Sequence, residues 1–272
     1  MSEHLVERND IVDAIRGALE PREYVLAMWE GGAAAFGRVD RWSDIDLQVL
    51  CEDGHVDEIY GEALEALERL SPVDLRFRMP EPNWHGHSQV LWRLRDASPF
   101  LLLDFVVMES GNDRDRFLQP EIHGRAKVHF DKTGALDAAP FDAKAHAALL
   151  RDRMARHRVL CEMSWPFVRK EIERGNPIEA IAYYQSMVLR PLVELLRIKH
   201  SPLRYNFHTR YVYYEFPRGV VERLERLFYV SDLAELGTKC DEADEWTGKL
   251  LQELGDGPTE STISDVAARE AR

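Results

Sequence analysis

Apolar and polar positions change period about halfway along the chain. In the first half, short apolar runs alternate with turn signals. Val6, Ile11, Ala14, Ile15 and Leu19 recur at helical spacing and predict a helix over residues 5–20, stopped by Pro21. Residues 24–29 form a short apolar run closed by Gly31-Gly32, the mark of a first strand, and residues 45–51 alternate as a second. A helix is expected over 56–70, ended at Ser71-Pro72, and strands over 73–79, 89–94 and 100–108. A last short strand falls near 127–130.

From about Phe141 the period becomes 3.6. A helix is expected from Asp142 towards Arg174, with Pro166 as a point of interruption. Asn176, Pro177 and Glu179 supply a cap, a first-turn proline and a first-turn acid for a helix to about His200, which Pro191 should kink. Two further helices fall over 220–229 and 233–254, and the polar stretch 257–272 is expected to be a flexible tail. The expected organisation is α+β: a mixed sheet with flanking helices over 1–140, then a helical bundle over 141–256.

Composition narrows the partners. The 272 residues carry 35 Lys and Arg against 48 Asp and Glu, a net charge of −13. Such a chain is a poor match for nucleic acid or an anionic membrane, and it suits a small cationic partner or no charged partner at all. No run approaches the roughly 18 apolar residues of a membrane span, and the acidic start MSEHLVERND is unlike a signal peptide. Three scattered cysteines, Cys51, Cys161 and Cys240, fit reduced, buried thiols in a cytoplasmic protein.

The chemistry is concentrated in residues 29–47. Paired glycines, Gly31 and Gly32, follow the first strand, and Asp44 and Asp46 lead into the second. Positions two apart on a strand share a face, so the two carboxylates would project together while Ile45 and Leu47 face the core. Carboxylates so placed repel unless a cation lies between them, and Mg²⁺ is the simplest such ion. The competing account is an exposed acidic turn. Asp104 interrupts the apolar run 100–108, where an unpartnered charge is costly. A place beside Asp44 and Asp46 would resolve that cost, and so would an ion pair with Arg93 or Arg95. Glycine amides at the start of a short helix can cradle phosphate, although paired glycines usually mark only a turn.

In combination, Gly31-Gly32, eleven intervening residues, Asp44-Ile45-Asp46 and the later Asp104 resemble the nucleotidyltransferase superfamily of the DNA polymerase β type. Residues 37–44 loosely follow that family's loop, and Gly32 stands where serine is commoner in the family. The helical half resembles, more weakly, the C-terminal domains of aminoglycoside and lincosamide nucleotidyltransferases. The resemblance implies two Mg²⁺ ions held by Asp44, Asp46 and Asp104, and an NTP donor, ATP by preference. It also implies nucleotide contacts from Gly31, Gly32, Arg38, Arg41 and Ser43. The implied acceptor is a small-molecule hydroxyl, as in antibiotic resistance. Glu171 or Glu173 are alternatives to Asp104 as general base, and a homodimer would be compatible.

Two other readings compete. Minimal members of the superfamily nucleotidylate partner toxins. The Arg151 to His157 spacing resembles the motif of HEPN ribonucleases. His85 and His87 form a plausible metal pair that is more often unliganded, and the aromatic residues between 205 and 216 are expected to pack in the core.

Overall fold

The computed structural model describes residues 5–270. The chain divides into two compact units after Pro140. In the first, α1 (Arg8–Leu19) leads to β1 (Val25–Glu30), the single turn α2 (Gly32–Ala35), β2 (Ile45–Cys51) and α3 (Val56–Glu68). β3 (Val73–Arg78), β4 (Ser88–Leu94) and β5 (Leu103–Glu109) follow, then the short α4 (Pro120–His123) and β6 (Lys127–Asp131). The six strands form one sheet in the order β3-β4-β5-β2-β1-β6. β2 and β5 run parallel at its centre and every other neighbouring pair is antiparallel, so the sheet is mixed.

Strand alternation divides the apolar residues between two faces. Ile45, Leu47, Val49 and Cys51 of β2 pack with Leu103, Phe105 and Val107 of β5 and with Ile11, Ile15, Ile59 and Leu67 of α1 and α3. The opposite face carries a smaller cluster of Ala27, Trp29, Leu50, Val106 and Met108. Asp46, Gln48 and Asp104 occupy positions on that second face.

The second unit is helical: α5 (Ala143–Glu173), α6 (Pro177–Tyr183), a π-helical segment (Tyr184–Leu189), α7 (Arg190–His200), α8 (Val212–Glu215), α9 (Arg218–Phe228), α10 (Leu233–Leu254) and α11 (Glu260–Glu270). Asp142 caps α5, its side chain accepting from the Ala145 amide, and the helix continues through Pro166. Pro191 is accommodated by the wide turn immediately before it rather than by a bend within α-helix. The stretch expected to be a flexible tail is corrected over 260–270. α11 buries Ile263 and Ala267, and docks on α5. The aromatic segment is also corrected, because Phe216 is buried but Tyr213 and Tyr214 are exposed. Cys51 and Cys240 are buried, Cys161 is half-buried, and all three are free thiols. Among the described residues, no helix is long and apolar enough to cross a membrane.

Candidate active site

The parallel pairing of β2 with β5 brings two acids together. Asp46 and Asp104 are direct register partners, each the second residue of its strand. Neighbouring strands lie roughly 4.8 Å apart, so the two carboxylates are lateral neighbours on one face. The Gln89 amide donates to Asp104 Oδ1 at 2.7 Å. Arg93 and Arg95 are engaged with Asp74 and Asp96. Asp44 lies one residue before β2, exposed at the end of the entering loop. Among the described residues, no three His, Cys, Asp or Glu side chains are gathered into a metal-binding group. The structure therefore pairs Asp46 with Asp104 and leaves Asp44 at the edge.

The glycine turn closes over Asp46. Gly31 donates its amide to the Asp46 carbonyl at 2.9 Å. Gly32 adopts a φ of +49° and starts α2. A Cβ on Gly32 would fall 1.7 Å from Asp46 Oδ2, so only glycine lets this turn approach the carboxylate. A Cβ on Gly31 would crowd the Gln48 amide at 3.0 Å. Gln48 Oε1 is buried without a hydrogen-bond partner. Gln48 escaped the sequence reading, although its place two residues after Asp46 puts it on the same face.

The loop between α2 and β2 carries the remaining predicted contacts. The Arg38 guanidinium lies 4.8 Å from the Phe36 ring centroid, and Arg41 stacks over Trp42 at 4.1 Å. Trp42 meets Phe100 edge-on. The Ser43 hydroxyl donates to Asp40 Oδ1 at 2.8 Å and accepts the Asp40 amide at 2.9 Å. A phosphate contact from Ser43 would replace that turn.

A buried ion cluster behind the turn also went unread in the sequence. Glu30, the last residue of β1, is fully buried. Arg8 Nε donates to its carboxylate at 3.1 Å, and Lys127 and His129 approach the other oxygen at 2.9 and 3.0 Å. Burial alone would raise this carboxyl, yet hydrogen bonds from His129, Lys127 and Arg8 hold it down at about 2. Arg8 also donates to the Asp44 carbonyl at 2.6 Å. One guanidinium thus ties α1 to the end of β1 and to the residue that enters β2. A charge closing the apolar run of β1 was the available signal.

In the helical unit, Glu171 accepts from Asn176 at 2.8 Å and from Arg174 at 2.7 Å, contacts that hold its carboxyl below the usual range. A carboxylate so engaged is a poor general base. Glu173 is exposed. His157 is buried, with Nε2 2.9 Å from Glu194, which also receives both forks of Arg153.

No protein-family model matches the chain, and no curated protein sequence matches it. The solved structures similar to it include two adenyltransferases. One is an aminoglycoside 6-adenyltransferase from Bacillus subtilis, 14% identical, covering 100% of this chain and 99% of that one with a TM-score of 0.34. The other is a spectinomycin adenyltransferase from Enterococcus faecialis, solved with ATP and spectinomycin. It is 11% identical and covers 98% of this chain and 100% of that one, again with a TM-score of 0.34.

Proposed function

We propose that the chain is a nucleotidyltransferase, passing a nucleoside monophosphate from an NTP, ATP by preference, to a hydroxyl of a small molecule. The observation that carries this reading is the register pairing of Asp46 with Asp104 under the Gly31-Gly32 turn. Two adjacent carboxylates form a hard oxygen donor set suited to Mg²⁺, and Asp44 would add a third as the 37–44 loop settles on the triphosphate. Bound Mg²⁺ would offset charge on the leaving pyrophosphate and lower the pKa of the acceptor hydroxyl.

The chain's own residues bind and orient. Gly31 and Gly32 let the backbone approach the phosphates, and Arg38 and Arg41 supply cations for their oxygens. Ser43 would exchange its Asp40 contact for a phosphate oxygen. The acceptor oxygen bonds to the α-phosphorus as the bridging bond to pyrophosphate breaks, and the hydroxyl proton passes to the Asp104 carboxylate acting as general base. The net charge of −13 favours a cationic acceptor of the aminoglycoside or lincosamide kind, with antibiotic resistance as the outcome.

Melting temperature in ATP, GTP, CTP or UTP, with and without Mg²⁺, tests the reading. Saturation at roughly 100 times Kd adds about 2.7 kcal/mol to the folded state. The expected result is a Mg²⁺-dependent rise with one nucleotide, abolished in Asp44→Asn/Asp46→Asn. Absence of any rise would overturn it.

A further inference from the structure

The histidine pair on the segment before β4 joins the acid pair through a directed chain of hydrogen bonds. The His87 backbone N–H donates to His85 Nδ1 at 3.1 Å. With Nδ1 an acceptor, the neutral ring carries its proton on Nε2, which lies 3.0 Å from Gln89 Oε1 and donates to it. That contact sets the Gln89 amide with its nitrogen towards Asp104, to whose Oδ1 it donates at 2.7 Å. A flipped amide would set oxygen against carboxylate at one end and two donors against each other at the other. Each bond in the series therefore fixes the direction of the next.

The start of the chain is itself anchored. His85 and His87 are 8% and 3% exposed, too enclosed for either ring to turn freely. His87 Nε2 donates to the Asp115 carbonyl at 3.0 Å, and Asn112 Nδ2 approaches His87 Nδ1 at 3.5 Å. Asn83 accepts the Gly86 amide at 2.8 Å and donates to the His87 carbonyl. Gln89 stands diagonally across from Asp104, since Leu91 is the register partner of Asp104 and Gln89 lies two residues away on the same face.

We propose that His85 and Gln89 are positioning residues that fix the orientation of the Asp104 carboxylate for a divalent cation shared with Asp46. The proposal rests on the nucleotidyltransferase reading and deepens it. His85 touches neither cation nor substrate, and it acts by fixing which way the Gln89 amide points. Partners of this kind typically contribute roughly 10–100-fold to metal affinity.

The test measures Mn²⁺ affinity by electron paramagnetic resonance on the full chain, with a non-hydrolysable ATP analogue present. Wild type is compared with Gln89→Leu, His85→Phe, Asp46→Asn and Asp104→Asn. Metal-free melting curves and ¹⁵N imidazole spectra of the wild type and Gln89→Leu accompany them. The expected result is a loss of roughly 10–100-fold in Mn²⁺ affinity in Gln89→Leu and His85→Phe, with metal-free melting preserved. The His85 Nε2 proton should be visible in wild type and exchange faster in Gln89→Leu.

Wild-type affinity in Gln89→Leu and His85→Phe, with binding lost in Asp104→Asn, would overturn the positioning role alone. Unfolding of both variants without metal would also overturn it, making the role structural. Failure of wild type to bind the cation and nucleotide, or wild-type affinity retained in both Asp46→Asn and Asp104→Asn, would overturn the nucleotidyltransferase reading and this proposal with it.

Discussion

Gly32→Ala separates the shape of the site from the stability of the fold. The new Cβ would lie 1.7 Å from Asp46 Oδ2 and 2.5 Å from Cγ, so the carboxylate must withdraw by more than about 1 Å to reach ordinary contact. The φ of +49° adds the left-handed cost for a residue with a side chain, roughly 1–2 kcal/mol. Gly37 provides the control. Its φ is +64°, and nothing lies within 4 Å of a Cβ placed there. Both alanine variants should therefore melt lower, Gly37→Ala by the left-handed cost alone and Gly32→Ala by at least as much, at roughly 2–4 °C per kcal/mol. Only Gly32→Ala moves Asp46, and misplacement of a reacting group by about 1 Å is worth on the order of 10²-fold. Melting scans with ATP and Mg²⁺ read the difference directly: Gly37→Ala should keep the ligand-induced rise and Gly32→Ala should lose it. A full rise in Gly32→Ala, or its loss in Gly37→Ala, would refute the link between this turn and Asp46.

Glu30 makes the first unit sensitive to acid. Its folded carboxyl is held at about 2 against an ordinary 4.5, a difference of about 3 kcal/mol. Because the folded value is the depressed one, that contribution is complete above about pH 4.5 and is lost as pH falls towards 2. Glu30→Gln should flatten this acid limb in urea titrations. It should also cost about 3 kcal/mol near neutrality, because Arg8, Lys127 and His129 lose their shared counter-ion. An unchanged acid limb in the variant would contradict this. His157→Ala removes a buried partner of Glu194 while Arg153 remains, so melting should fall by the equivalent of about 1–3 kcal/mol with the nucleotide response intact. RNA cleavage lost in His157→Ala but kept in Asp44→Asn would instead favour the ribonuclease reading.

Elements whose apolar period is self-contained were legible in the sequence. β2 spans 45–51 as its alternation predicts, and α10 spans 233–254. What the sequence did not disclose depends on partners distant in the chain. The π-helical segment before Pro191 has no local signature; Ser186 donates to the Ala182 carbonyl there, a bond that many helical serines make. α11 has only Ile263 and Ala267 to bury, too little for a periodic signal without α5 to dock on. Arg8 reads as a polar first-turn residue until β1 places Glu30 beside it. Asp44, Asp46 and Asp104 were all legible as candidates, but which two would be neighbours was not. The intervening α3, β3 and β4 conceal the register of β5 against β2.

That register is set by the core rather than by the acids. Leu103, Phe105 and Val107 face the helices together with Ile45, Leu47 and Val49, and the side-chain period of a strand is two. A slip of one residue in β5 would turn Phe105 and Val107 out of the main core and drive Asp104 into it among Ile45, Leu47 and Tyr60. Burying that charge without a partner costs several kcal/mol, in addition to the apolar burial forfeited. The parallel pair is therefore locked by residues with no chemistry of their own. Locking it brings Asp46 and Asp104 side by side on the thinner face, where Gly32 has no side chain to displace them. The repulsion between the two carboxylates opposes this arrangement, and the buried side of the same strands outweighs it.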